Sequence, residues 1–352
     1  MKQGISISVL YIVLQYGLLM FIFPQSVIQS QSSGHWLTVV LGWLLQGVLL
    51  WLLVGGFREG KEDLLVCILK SKKAPRLIWL GVLTISNICV IALIIRGHSQ
   101  LLKLFFLPNT PLWVLMALLL VSSMCISYAG RNSLLRLSLL VGIFGLPLVL
   151  ISLASSFSDL SLLMMRPLQP SLSFLGEPKI LPLFFIFSHT IGVIGFFGPL
   201  SRMAKRWLWG AWLISLFFYL LVVYIPLGFF GHEAAAPLRH PLIIVLDSIR
   251  VNWFFFDRLS LFYIMAVLLS TLMNVTGLLW LSRALASRSS AFIRLAANPI
   301  TVSAIALILA LLIVNMSELE KWTEWGAPAR FGVVFATVLA GAYYRRQAQL
   351  RR

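Results

Sequence analysis

A hydrophobic run long enough to cross a bilayer carries Gly17 and Pro24 inside it, in the stretch QYGLLMFIFPQSVIQSQ from Gln15 to Gln31. In a helix interior a glycine costs about 1 kcal/mol against alanine and a proline about 3 kcal/mol. Pro24 also removes a backbone N–H. In lipid, the carbonyls so released must be buried in protein or face a water-lined cavity. The stretch therefore predicts a first membrane span broken near mid-membrane, with the break lining a small-molecule site as in transporters built on discontinuous helices. The alternative is a proline kink used only for packing.

The rest of the chain has the same apolar character. Its 352 residues are 60% hydrophobic and 11% charged, with a mean hydropathy of +0.95, which excludes an ordinary soluble domain. The net charge of +17 raises the question of nucleic acid, but the basic residues sit in short loops between apolar runs, where the positive-inside rule puts them. The charge is topological, and the surrounding partner it implies is the lipid bilayer and no nucleic acid. Cys67, Cys89 and Cys125 lack metal-site spacing and lie in or beside apolar runs, so neither a disulfide framework nor a zinc site is expected. The amino terminus has one lysine and then an apolar run longer than the roughly 7 to 15 residues of a secretory signal core, and reads as a membrane span.

With a spanning length of about 20 residues, ten apolar segments are expected: about 5 to 31, 35 to 57, 77 to 103, 111 to 128, 134 to 156, 180 to 200, 208 to 230, 259 to 282, 299 to 315 and 330 to 344. With the amino terminus inside, the cytoplasmic segments hold 19 of the 28 basic residues and three of the 11 acids. That asymmetry predicts cytoplasmic termini at both ends.

Two outer stretches are longer than turns. Residues 157 to 179, with Pro167, Pro170 and Pro178, read as an ordered loop or short lid. Residues 231 to 258 have apolar residues at helical spacing, with Trp253 to Phe256 as an aromatic anchor, and predict an amphipathic helix at the outer interface. Neither is long enough for an enzymatic domain, and the sequence has no phosphate loop, nucleophile–base pair or metal cluster.

Ten spans divide into two sets of five, and an odd number per set inverts the second against the first. The sixth span should then match the first. It reads ILPLFFIFSHTIGVIGFFGPLSR, with Gly192, Gly195, Gly198 and Pro199 as helix weakeners and Ser188, His189 and Thr190 at its polar centre. Matching interruptions in two halves point to a substrate site in secondary transporters; three-residue glycine spacing also serves close helix packing.

These residues resemble the endospore germination receptor B subunits, a branch of the amino-acid/polyamine/organocation transporter superfamily. The likeness rests on Gly17 to Pro24 (GLLMFIFP), on Leu107 to Trp113 (LPNTPLW), and on the order of Gly231, Pro241, Leu246 and Asp257-Arg258-Leu259 leading into the eighth span. It implies an all-α integral membrane fold, a five-plus-five inverted repeat of about 5–156 and 180–344 with broken first and sixth helices. It also implies a ligand pocket between those breaks, flanked by the third and eighth spans. The resemblance further implies residence in the spore inner membrane beside an A-type membrane subunit and a C-type lipoprotein, and recognition of a small nutrient such as an amino acid. Two departures stand out. Leu18 and Leu19 replace the small residues the superfamily tends to have, and alignment on Pro199 puts Thr190 where a glutamate is frequent.

The candidate ligand-binding set is Gly17, Leu18, Leu19 and Met20 on the first span, Asn87 on the third, Ser188, His189, Thr190 and Gly192 on the sixth, and Thr271 and Asn274 on the eighth. Gly17, Pro24 and Gly192 are the helix-breaking positions; no catalytic residue, cofactor or metal is expected. Each polar candidate has a plainer reading as an interhelical hydrogen bond. His189 is the one ionisable side chain placed near the midplane, and Arg96 is expected to snorkel to the headgroups. Two functions fit: a sensor whose partners read a ligand-driven shift, and a permease working by alternating access. No carboxylate or lysine relay lies in an apolar core, which disfavours proton-coupled uphill transport and leaves sodium coupling open.

Overall fold

The first hydrophobic run folds as two helices, α1 (Lys2–Leu19) and α2 (Phe23–Ser30). Pro24 occupies the first turn of α2, where an N–H has no intrahelical partner to lose, so it starts the outer helix and does not kink a continuous one. Gly17 likewise lies within α1. The computed structural model describes residues 2–19, 22–56, 73–195, 197, 200–253, 256–287 and 291–350.

The sixth run forms α7 (Leu181–Ile194), capped by Gly195, whose backbone is still right-handed helical. Its 14 residues rise about 21 Å, short of a hydrocarbon core of about 30 Å. Gly192, expected as the breaking position, is helical, and α7 runs on to Ile194, with the Gly195 N–H donating back to the Ile191 carbonyl at 2.9 Å. Pro199 and Gly198 lie outside the described residues. The chain resumes at Ser201, whose hydroxyl accepts the Ala204 N–H at 3.2 Å and caps the next helix.

The remaining helices are α3 (His35–Gly56), α4 (Lys73–Phe105), α5 (Leu112–Tyr128), α6 (Arg131–Ser155), α8 (Arg202–Ala235), α9 (Pro241–Ser248), α10 (Leu259–Ser287), α11 (Ala291–Ala296), α12 (Pro299–Leu312) and α13 (Met316–Leu350). Among the described residues five helices are long and apolar enough to cross a membrane, α3, α4, α6, α8 and α10; shorter apolar helices cover Gly4–Gly17, Leu112–Tyr128 and Pro299–Leu312. Within its apolar window α10 is 72% buried against 39% for α6, so α10 is central and α6 faces outward.

The packing pairs repeat with the two halves exchanged. α1 packs on α8 and α6, and its counterpart α7 packs on α3 and α13. In the same way α4 packs on α12 and α13, while α10 packs on α5 and α6. This is the exchange expected of an inverted five-plus-five repeat. At its middle α3 meets α8 through Trp43 and Trp212, whose rings stack at 3.8 Å and 6°. Each indole N–H donates to the other's carbonyl oxygen, at 2.9 and 3.2 Å.

Three expectations are corrected. Arg96 does not snorkel: it is buried, and Nε and Nη2 donate to the Ile313 and Val314 carbonyls at 2.8 Å each, with Nη1 donating to Gln100 Oε1 at 3.1 Å. The end of α12 would otherwise leave those carbonyls without donors, and a guanidinium on α4 is in reach of both. Residues 231 to 258 are not one amphipathic helix. The apolar face of α9 is buried in protein, and beyond it Arg250–Trp253 (β1) and Phe256–Arg258 (β2) pair antiparallel, Trp253 opposite Phe256. The third concerns the tenth run, where the helix starts 14 residues before position 330, at Met316, with Glu318 bonding back to the Val314 N–H at 2.9 Å.

Replacing Arg96 with methionine keeps the apolar stem and removes the donors. The expected loss is about 2 kcal/mol of stability, read as a lower thermal unfolding midpoint in detergent. A wild-type midpoint would mean that something other than Arg96 satisfies the end of α12.

Candidate functional site

Near the end of α1 the Gly17 carbonyl lies 3.1 Å from Nε2 of His98, which α4 projects toward it. Nδ1 of the same ring lies 2.8 Å from the Ile94 carbonyl, and the side chain is 1% exposed. A neutral imidazole carries one N–H and donates to one of these oxygens at a time; the protonated ring donates to both. His98 thus stands where water would otherwise be needed.

Gly17 turns its Cα toward α10. A Cβ there would lie 2.6 Å from Asn274 Nδ2 and 3.4 Å from backbone atoms of Ser270 and Thr271. Only a residue without a side chain permits this approach. The amide of Asn274 is held in place by donating to the Ser270 carbonyl at 2.9 Å, and Thr271 donates to Val267 at 2.8 Å. The structure therefore brings Gly17, Thr271 and Asn274 together and adds His98, closing the inner side of the break.

The other candidates are elsewhere. Asn87 is fully buried and its amide donates to Ser282 at 3.4 Å. Ser282 lies two turns beyond Asn274, roughly 12 Å along α10. Gly192 faces α13, where a Cβ would lie 3.2 Å from Arg330 Nη2. Ser188 and Thr190 are buried on α7, and the Thr190 hydroxyl has no hydrogen-bond partner. Met20 and the side chains of Leu18, Leu19 and His189 lie outside the described residues.

The open space is on the outer side of the break. A cavity of about 290 Å³ lies between α2, α13 and the turn after α8, and Ile22, the first described residue past the break, is part of its lining. Gln25, Ser26 and Gln29 come from α2, Arg239 and His240 from the turn, and Glu320, Thr323 and Glu324 from α13. Its walls are cross-linked: Arg239 pairs with Glu320 at 3.5 Å, Gln25 donates to Glu320 at 3.4 Å, and Gln29 donates to the Ala236 carbonyl at 2.9 Å. Donors, acceptors and both signs of charge surround a space near the lower end of small-molecule sites, about 300 Å³.

The sequence held signals for what was missed. His98 belongs to a polar cluster, RGHSQ, that interrupts the outer third of the third apolar run. Arg330 opens the tenth run and reads as a boundary residue, although Gly326, Ala327 and Ala329 before it are small residues suited to a buried helix. Glu320 and Glu324, four apart, share one face of α13.

Comparison with known proteins agrees with this architecture. A family model described as spore germination protein matches residues 3–320. No curated protein sequence matches the chain. Among solved structures, MhsT in complex with L-phenylalanine is similar with a TM-score of 0.60 at 15% identity, over 92% of this chain and 87% of that one. The substrate-bound outward-open state of a Na+-coupled sialic acid symporter is similar with a TM-score of 0.58 at 12% identity, over 92% of this chain and 72% of that one. At these identities the likeness is one of fold, a transporter fold.

Replacing His98 with phenylalanine takes both ring nitrogens away from the buried Gly17 and Ile94 carbonyls. The expected cost is about 1–3 kcal/mol, seen as a lower unfolding midpoint, and glutamine at the same position, which can still donate, should recover part of it. Equal midpoints for both variants would show that the carbonyl does not depend on this ring.

Proposed function

This chain belongs to the spore germination protein family, and from that premise we propose that it is a nutrient sensor which captures a small zwitterionic molecule, such as an amino acid, on the outer side of its broken first span. The observation that carries the reading is the cavity of about 290 Å³ over that break, with Glu320, Glu324, Arg239 and Lys179 around it. Carboxylates complement an ammonium group, and the basic side chains and Gln25 complement a carboxylate. MhsT, similar in fold, was solved with L-phenylalanine, which supports a ligand of that size.

Ligand binding acts on the protein only through a difference in affinity between two packings. The cavity is suited to this because its walls belong to separate elements, α2, α13 and the turn after α8, tied by the Arg239–Glu320 and Gln25–Glu320 contacts. A ligand that competes for Glu320 loosens those ties, and one that bridges the walls tightens them. Full conversion from 1:99 to 99:1 takes about 5.5 kcal/mol of differential affinity. In this reading the shift passes to an A-type membrane subunit and a C-type lipoprotein in the spore inner membrane. In this reading both termini face the cytoplasm, which the excess of basic residues in the loops on that side supports.

Glu324→Gln and Gln25→Leu are each expected to move the nutrient dose–response of spore germination about tenfold toward higher concentration, equivalent to about 1.4 kcal/mol of binding. A trigger that bypasses nutrient receptors should act unchanged. A dose–response identical to wild type for every nutrient in a panel would remove the outer cavity from recognition. Counterflow of labelled amino acid in liposomes containing the purified chain would favour a permease over a sensor.

A further inference from the structure

A second and larger recess, of about 510 Å³, lies between α4, α12 and α13. The outer cavity takes Glu320, Thr323 and Glu324 from α13, whereas the recess takes Lys321, Trp322, Trp325 and Gly326, which fall on the other side of a 3.6-residue turn. A Cβ on Gly326 would have nothing within 4 Å, and Cys89, which α4 contributes, is exposed. Trp322 and Trp325 are 50% and 78% exposed. Cys89 lies seven residues before Arg96, which holds the end of α12, so the recess reaches about 10 Å below that end, within one half of a hydrocarbon core about 30 Å thick. The first nine residues of α13, MSELEKWTE, carry three glutamates and Lys321. That polarity puts this end of the helix at the headgroup level, where tryptophan collects. The glutamates are engaged away from the recess: Glu318 accepts the Val314 N–H, Glu320 pairs with Arg239, and Glu324 lines the outer cavity. Among the described residues no carboxylate pairs with Lys321.

We propose that this recess binds one anionic phospholipid, with an acyl chain lying over Gly326 and Cys89 and the phosphate meeting Lys321 at the mouth. Lys321 is the one charged side chain in the described lining, and the rest of the lining is apolar. An apolar wall that ends in a cation fits an apolar tail that ends in an anion. The ammonium is a point charge suited to phosphate, and its stem covers apolar surface on the way to the headgroups. The exposed indoles of Trp322 and Trp325 stand at the rim, so the recess opens sideways to the bilayer and a lipid enters it directly from the membrane. The volume is within the range of about 300–1,000 Å³ that holds small molecules. A lipid seated here packs behind the wall of the outer cavity, because Glu320 and Glu324 are on the other side of the same helical turns.

The lipid site stands or falls without any nutrient response. The full chain in lipid nanodiscs would be read by tryptophan emission, with brominated acyl chains as contact quenchers. The signal of Trp322 and Trp325 is the difference between wild type and a variant carrying Trp322→Phe and Trp325→Phe. Brominated phosphatidylglycerol and brominated phosphatidylcholine would be compared at equal mole fraction in unbrominated phosphatidylcholine. The expected result is about fivefold stronger apparent binding of phosphatidylglycerol at these two tryptophans, the preference one basic residue gives near an anionic lipid surface. Lys321→Gln, a change at an exposed position, should remove the preference. Gly326→Leu, which places a side chain in open space, should weaken quenching by both lipids. Equal quenching by the two lipids in wild type, a preference that persists in Lys321→Gln, or unchanged quenching in Gly326→Leu overturns the proposal. So does a loss of quenching that grows with the number of chains per disc, which assigns the recess to a second copy of this chain.

Discussion

A carbonyl released by a broken helix in hydrocarbon must find a donor within the protein, and this requirement organises the bundle. One helix supplies two of the answers. From α4, Arg96 donates to the end of α12, and His98 stands against the end of α1. Two residues apart on a helix point in different directions, so a single turn of α4 serves two neighbours. Each side chain lies against backbone oxygen of a neighbouring helix end. The outer half of α4 is therefore fixed by the very interruptions that give the fold its cavities.

The two breaks use the same device with different results. Gly17 precedes the end of α1 by two residues, and Gly192 precedes the end of α7 by two. Each meets a nitrogen-bearing side chain at close range, Asn274 in one case and Arg330 in the other. The amide is neutral, and its Nδ2 already donates to Ser270. The guanidinium is charged, and its Nε is left over. Equivalent backbone positions thus produce a close amide contact in one half and, in the other, a cation with no carboxylate beside it among the described residues. The repeat supplies the geometry, and single residues decide what it is used for.

Much of this was legible in the amino-acid order. The apolar runs, the excess of inner basic residues and the weak points near Gly17 and Gly192 point to a ten-span bundle with two interrupted crossings, and the exchanged packing pairs agree. What a single sequence hides is which neighbour a polar residue meets. Gly17 and Asn274 are far apart in the chain, and nothing local says that they touch. Arg96 and Arg330 look like span ends because charged residues usually are; only the position of α12 and α13 turns one into a cap and the other into an interior charge. Residues 231 to 258 misled for a related reason. Helical spacing of apolar residues is the same whether the apolar face meets lipid or protein, and here it meets protein.

The stacked indoles of Trp43 and Trp212 have a mechanical consequence. Their helices, α3 and α8, are counterparts in the two halves, and the pair of hydrogen bonds between them is reciprocal, so a local two-fold axis runs between the rings. Turning one half against the other about that axis tilts the rings out of parallel, and sliding the halves past each other lengthens both bonds at once. The bundle therefore carries a tie at its centre that holds the two halves against both motions.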